Sequence, residues 1–309
     1  MIYTLTLNPA LDYFLSFESF VEGDLNIPKE TYKLPGGKGI NVSKILKNYN
    51  TESICLGFIG GFTGTFIEES LKADDIKTKL FKVKEDTRIN IKINNHGLES
   101  EIAGTSPTIE AKSVSELLEY LKKNLKKGDI LSLSGSVPTS LPTSIYSDII
   151  DSLAEGVQVI LDTRGEPFEK ALKKGVFLIK PNQDEINEFF KTNFSTTEEL
   201  IHAGKKLQTL GAQNVLISLG AKGSIFITED SVYIAGVPKG ELISSNGSGD
   251  SMIGGFIYGL NNNFELEKCY KYGIASGSAT AFSRGLAKFE TTKNLLKEIE
   301  IRKYEIGGM

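Results

Sequence analysis

Ile130-Leu131-Ser132-Leu133-Ser134 and Val157-Gln158-Val159-Ile160-Leu161-Asp162 are two short apolar runs, and residues 142–153 between them carry apolar side chains at helical spacing. Runs that are apolar on both faces and closed by Gly, Pro or polar residues have the pattern of strands buried on both sides. A strand, a helix and a second strand in succession predict parallel pairing, with the helix crossing over the sheet. The same unit continues in both directions. Residues 2–7 and 53–59 precede it as strands, and 177–179 and 215–219 follow it. Helical spacing recurs over 42–49, 113–125, 184–190 and 197–210, and the last third turns helical over 249–260, 266–282 and 292–299. The alternation predicts a three-layer α/β/α fold around a mostly parallel central sheet.

Two regions depart from it. Residues 12–35 and 86–103 alternate polar and apolar, and the second contains Asn94-Asn95-His96-Gly97, a hairpin signature. They predict strands outside the main sheet, forming a small β-sheet lid inserted in a single domain over 1–309. No internal repeat or long linker divides the chain.

Composition narrows the function classes. The 309 residues carry 35 Lys+Arg against 39 Asp+Glu, a formal charge of −4, with 40% hydrophobic and 24% charged residues. These proportions exclude a disordered, collagenous or coiled-coil chain. The mildly acidic balance argues against a broad nucleic-acid surface, although a local basic patch could hold a small anion. Cys55 and Cys269 form no CxxC pair, so a disulfide framework or structural zinc is not expected and a reducing cytoplasm fits. The opening residues lack a signal-peptide pattern and no long apolar run suggests a membrane span, so a cytoplasmic chain is expected.

The strongest local signal is Ser245-Asn246-Gly247-Ser248-Gly249-Asp250 at the head of an apolar helix. Small residues there leave N–H groups bare at the positive end of a helix dipole, which favours an anion. Asp250 has two readings, a plain N-cap or a general base beside an anion hole that deprotonates a hydroxyl attacking a phosphoryl group. Gly36-Gly37-Lys38-Gly39-Ile40-Asn41 looks like a phosphate loop but lacks the GxxxxGK[ST] spacing. Its glycines could permit close approach of a ligand, and Asn41 could bond hydroxyls, or the segment could be a plain turn. Asp12 follows the first strand at the edge where open α/β sheets bind ligands. Asn182-Gln183-Asp184-Glu185 suits either an N-cap with acidic first-turn residues or a water-mediated Mg²⁺ contact through Glu185. Ser218-Leu219-Gly220-Ala221-Lys222-Gly223 suits a β-hairpin or a nucleotide edge. His96 and His202 show no metal-ligand spacing. Gly247-Ser248-Gly249 only partly matches GxSxG, and Gly57 to Gly64 has the wrong spacing for GxGxxG.

Together these residues resemble the ribokinase-like carbohydrate kinases of the phosphofructokinase B group. The N-terminal signature is similar to Gly36 through Ser43, and the C-terminal one to Ser244 through Ile257 with Gly-Ser-Gly-Asp at 247–250. Ser244 departs from the pattern, which more often has Asp or Asn, and leaves open how the loop before the anion hole is braced. The resemblance implies ATP and Mg²⁺ as cosubstrates and transfer of the γ-phosphoryl group to a sugar hydroxyl. It implies Asp250 as base, with the Gly247, Ser248 and Gly249 amides holding developing charge. It implies Asp12, Gly37, Lys38 and Asn41 on the sugar, and Arg88 on an anionic group of the substrate. Lys180, Asn182, Ser218, Gly220 and Gly223 would line the ATP side, and Asn182 with Glu185 would organise Mg²⁺.

The opening Thr4 to Asp12 and the late Ala275 to Ala281 narrow the resemblance to members acting on phosphorylated ketohexoses. The substrate expected is fructose 1-phosphate, with tagatose 6-phosphate as the alternative. A homodimer through the lid is expected, and no nucleic-acid or membrane partner. A non-catalytic sugar- or nucleotide-binding regulator on the same fold is the reading from another class, since fold does not fix function. A dehydrogenase is the weakest reading.

Overall fold

In the computed structural model, residues 1–95 and 97–305 are described. His96, in the expected hairpin turn, lies outside them. The chain begins with β1 (Ile2–Thr6), β2 (Ala10–Phe17), β3 (Glu30–Gly36), α1 (Lys38–Asn48), β4 (Ile54–Ile59), α2 (Gly61–Ala73) and β5 (Lys77–Lys82). It continues with β6 (Ile89–Asn95), β7 (Leu98–Ile102), α3 (Ala111–Asn124), β8 (Ile130–Ser134), α4 (Ile145–Ser152), β9 (Gln158–Asp162) and α5 (Glu166–Leu172). Next come β10 (Val176–Ile179), α6 (Gln183–Phe190), α7 (Thr197–Thr209), β11 (Ala212–Ser218), β12 (Ser224–Ile227) and β13 (Val232–Ala235). The last elements are α8 (Ser248–Asn261), α9 (Leu266–Ala281), α10 (Phe289–Leu295) and β14 (Ile301–Lys303).

The main sheet runs β14-β13-β12-β11-β10-β9-β8-β1-β4-β5. From β11 to β5 the pairs are parallel, with Ile130 opposite Ile2 and Leu133 opposite Leu161. Pairing from β11 through β14 is antiparallel: β11 and β12 form the hairpin that the 218–223 segment suited, and β13 and β14 extend the sheet beyond what the short apolar runs signalled. Residues 292–299, expected as one helix, divide into the end of α10 and a turn before β14, the strand that closes this edge. The 57–64 glycine run is the end of β4 and the start of α2.

Each central strand feeds two apolar layers, as strands buried on both faces must. Tyr3 and Leu5 pack with Leu117, Leu133, Ile149 and Leu161, while Ile2 packs with Ile45, Ile160, Phe256 and Ile274. In the second layer, small residues bring three helices together. A Cβ on Gly254 would stand 2.5 Å from Ile45 Cγ2, and one on Gly255 would stand 2.4 Å from Tyr272 O. Close packing of α8 between α1 and α9 therefore fixes where the 247–250 segment sits. Ser251 and Thr280 hydroxyls, 2.7 Å apart, pin the same helix start.

A separate four-stranded sheet, in the order β3-β2-β6-β7, accounts for the two departing segments. Asp12 is opposite Leu34 on one side and Asn90 on the other. No helix among the described residues is long and apolar enough to cross a membrane.

Candidate active site

Between the small sheet and the C-terminal ends of the parallel strands lies a cleft of about 2870 Å³. Every residue singled out above for catalysis, sugar, nucleotide or metal lines it, from Asp12 and Arg88 on the small sheet's side to Gly247–Asp250 on α8. This is the C-terminal edge at which open α/β sheets hold ligands.

At α8, Gly247 is the N-cap in the left-handed region (φ 76°), a conformation glycine adopts without strain. The Ser248 N–H donates to Ser245 O at 3.2 Å and the Ser251 N–H to Gly247 O at 2.9 Å. The Gly249 and Asp250 amides fall in the first turn, where helical N–H groups lack intrahelical acceptors. Ser248 Oγ is buried with no partner. Asp250 is buried, and its Oδ2 accepts a hydrogen bond from Asn41 Nδ2 at 2.8 Å. The N-cap position is held by Gly247, and among the described residues the Asp250 side chain bonds Asn41 and caps no backbone amide. Burial raises its pKa to about 6 and the negative Asp162 adds to this, against the opposing effects of Asn41, Lys38 and Lys180. A carboxyl group in that range is poised to take up and release a proton near neutral pH.

Asp162 was missed in the sequence and belongs to the centre. It ends β9 on the edge that singled out Asp12, and that position was the available signal. It is buried and paired with Lys38 Nζ at 3.2 Å and Lys180 Nζ at 3.6 Å. Burial alone would raise its pKa, but the two ammonium groups outweigh this and hold it below the ordinary carboxylate value. Lys38, though partly desolvated, is held above its usual value by Asp162, Asp250 and Glu185. Two lysines and a buried aspartate therefore form a net positive arm across from Asp250.

Gly37 lines the cleft, and the glycines of 36–39 also let the backbone pack closely against the protein itself. A Cβ on Gly36 would fall 2.3 Å from Asp12 Oδ2, and one on Gly39 would stand 2.9 Å from Leu5 O. They let α1 and β3 press onto Asp12 and the end of β1. Asp12 accepts from Asn90 Nδ2 at 2.9 Å, and burial raises its pKa. Arg88 sits one residue before β6. Its Nη2 donates to Asn8 O at 3.0 Å, and its buried Nε has no partner. Among the described residues it forms no ion pair with Glu85 or Asp86; Glu85 instead accepts from the Thr108 N–H.

On the other side, a parallel bridge joins Asn182 to Ser218, and the Ser218 N–H donates to Pro181 O at 3.0 Å. The 218–223 segment is a hairpin joining antiparallel β11 and β12, and it also lines the cleft. A Cβ on Gly223 (φ 99°) would strike Ala235 O at 2.1 Å. Asn182 and Glu185 form a capping box: Asn182 Oδ1 accepts from the Glu185 N–H at 2.8 Å, and Glu185 Oε2 from the Asn182 N–H at 2.9 Å. The capping reading is thus correct for the fold, and Glu185 is also among the residues lining the cleft.

These residues fit a bound phosphate chain: an orphaned buried hydroxyl, first-turn amides and a lysine converge at one helix start. An α/β fold with a buried carboxylate at such an anion site defines a phosphoryl-transfer class of protein. Residues 5–293 match the pfkB family of carbohydrate kinases, and the chain belongs to that family. It is 43% identical over 302 residues to a 1-phosphofructokinase of Bacillus subtilis, covering 97% of this chain and 99% of the relative. A tagatose-6-phosphate kinase of Staphylococcus epidermidis is 33% identical, covering 97% and 99%. The fold superimposes on Escherichia coli phosphofructokinase-2 in complex with fructose-6-phosphate with a TM-score of 0.89 at 25% identity, covering 96% and 98%.

Proposed function

We propose that the chain phosphorylates fructose 1-phosphate at its 6-hydroxyl, using ATP and Mg²⁺, to give fructose 1,6-bisphosphate. The observation that carries this is Asp250, a buried carboxylate oriented by Asn41 beside the first-turn amides of α8. In this reading Asp250 accepts the hydroxyl proton as the oxygen attacks, while the Gly247–Gly249 segment and Lys180 stabilise charge on the transferred group. Asp12, Gly37, Lys38 and Asn41 orient the sugar, and Arg88 meets the phosphate it already carries. Lys180, Asn182, Ser218, Gly220 and Gly223 border the nucleotide. Mg²⁺ bound with the nucleotide supplies neutralising charge, and Asn182 and Glu185 would hold its waters. The small sheet serves as a lid that excludes water from the transfer. Its exposed Leu98 and Ile102 fit the surface on which a second copy packs, and two buried free thiols fit the cytoplasm.

The higher identity to the 1-phosphofructokinase favours fructose 1-phosphate over tagatose 6-phosphate. The test is kcat/KM for the two sugars at the same ATP and Mg²⁺. A higher value for tagatose 6-phosphate would overturn the substrate. No ATP consumption with any phosphosugar would overturn the enzyme reading in favour of a binding protein.

A further inference from the structure

The loop entering the anion site is held by a residue from the other sheet. Residues 241–243, 245 and 246 are exposed, so no core packing fixes the segment. At its start, the Ile243 and Ser244 N–H groups donate to Ala281 O at 2.8 and 3.2 Å. From there to Gly247 the side-chain ties converge on one carboxylate. Ser244 Oγ donates to Glu99 Oε1 at 3.1 Å, and Asn246 Nδ2 donates to Glu99 Oε2 at 3.2 Å. The Asn246 N–H in turn donates to Ser244 Oγ at 3.3 Å. Glu99 lies on β7, opposite Asn94 of β6. One carboxylate therefore joins the small sheet to the residues immediately before Gly247.

We infer that Glu99 is a positioning residue for phosphoryl transfer, latching the small sheet to the loop that aims the α8 amides. The inference rests on the kinase reading above. Its chemistry explains why a hydroxyl suits position 244. Ser244 donates to Glu99 and accepts from Asn246 at once, whereas a carboxylate at 244 could not donate and would repel Glu99. Because the latch joins the small sheet to the loop that leads into α8, closure over a sugar and alignment of the anion site become one event. Displacing reacting groups by about 1 Å can cost on the order of a hundredfold in rate. These hydrogen bonds are solvent-exposed, so their loss should cost less, about tenfold.

The test compares wild type, Glu99→Ala, Glu99→Gln, the pair Ser244→Ala/Asn246→Ala, and the triple variant. Glu99→Ala should lower kcat about tenfold with the KM for phosphosugar changed less than about twofold, and with an unchanged Tm. Glu99→Gln, which keeps an acceptor, should recover most of the rate. In the Ser244→Ala/Asn246→Ala background, Glu99→Ala should add no further loss. Amide exchange over 244–249 in the ligand-free protein should quicken in Glu99→Ala. Independent, multiplying losses, or unchanged exchange and kcat, would overturn the latch. A wild type that transfers no phosphoryl group overturns the kinase reading instead, and the exchange comparison still decides the latch.

Discussion

The Lys180 ammonium lies 3.0 Å from where a Cβ on Gly249 would stand, so backbone and cation share one small volume at the head of α8. Glycine there serves clearance rather than backbone freedom, since the residue is helical. Gly249→Ala should raise the helix propensity slightly and leave Tm unchanged or higher. The methyl group would push Lys180 aside and shield the amide. We expect weaker nucleotide binding and a kcat lower by about tenfold or more, measured by isothermal titration and a coupled assay.

Asp250 should show opposite effects on rate and stability. As a base it must be ionised, so the rate should fall below a pH of about 6. Its raised pKa means the folded state holds the proton more tightly than the unfolded chain. The resulting penalty is absent below the ordinary value of 3.8 and complete above about 6, on the order of 3 kcal/mol. Asp250→Asn should therefore lower kcat by about 10²–10⁴ and raise Tm at pH 8, a gain that fades toward pH 4. More than about half of the wild-type kcat would rule out the base, and a Tm gain independent of pH would rule out the ionisation.

The Asp162 group predicts the reverse. Its pKa is held below the ordinary value, so its ion pairs stabilise above pH 3.8 and are lost as pH falls through the folded value. Asp162→Asn would leave Lys38 and Lys180 without their counter-charge and should cost about 3–5 kcal/mol at pH 7. It would also remove a charge that raises the pKa of Asp250. The acid limb of the rate profile should then move to lower pH. A limb that stays in place would separate the two carboxylates.

The parallel strands were legible because each is apolar on both faces, and the α8 segment stood out because two glycines flank Ser248 just before Asp250, although spacing alone left a plain N-cap as open as a base. Chain order could not reveal that Asp162 pairs with two lysines, one of them 124 positions earlier, because that contact exists only once β9 and α1 meet at the sheet edge. Nor could spacing separate the roles of the 36–39 glycines, which depend on how closely Asp12 and Leu5 approach. The edge strands β12 to β14 are short and pair antiparallel, and β14 has only three residues, too few to show a period.

Asn182 and Glu185 carry a structural role that must be separated from a metal role. A capping box accepts Glu or Gln at its third position, so Glu185→Gln should keep the cap and leave Tm nearly unchanged. If Glu185 also holds Mg²⁺ waters, the same variant should raise the Mg²⁺ concentration for half-maximal rate by several-fold. An identical Mg²⁺ titration would leave Glu185 a cap alone.

Arg88 is the last. Its buried Nε has no partner and, among the described residues, no carboxylate stands within ion-pair distance, Asp12 and Glu101 acting on it only from farther off, so the guanidinium can serve the cleft it lines. A guanidinium can pair with phosphate through two parallel donors, whereas a neutral sugar offers it only hydroxyls. That contact is worth about 1.5–3 kcal/mol, or one to two decades in kcat/KM. Arg88→Ala should therefore lower kcat/KM on fructose 1-phosphate by that factor while hardly changing any weak activity on free fructose. Because Nη2 also bonds Asn8 O, a small loss of Tm should accompany it. Arg88→Lys keeps the charge without the planar fork, and should recover part of the rate on the phosphosugar. Equal losses on fructose and fructose 1-phosphate would assign Arg88 to holding the Asn8 turn rather than to reading the phosphate.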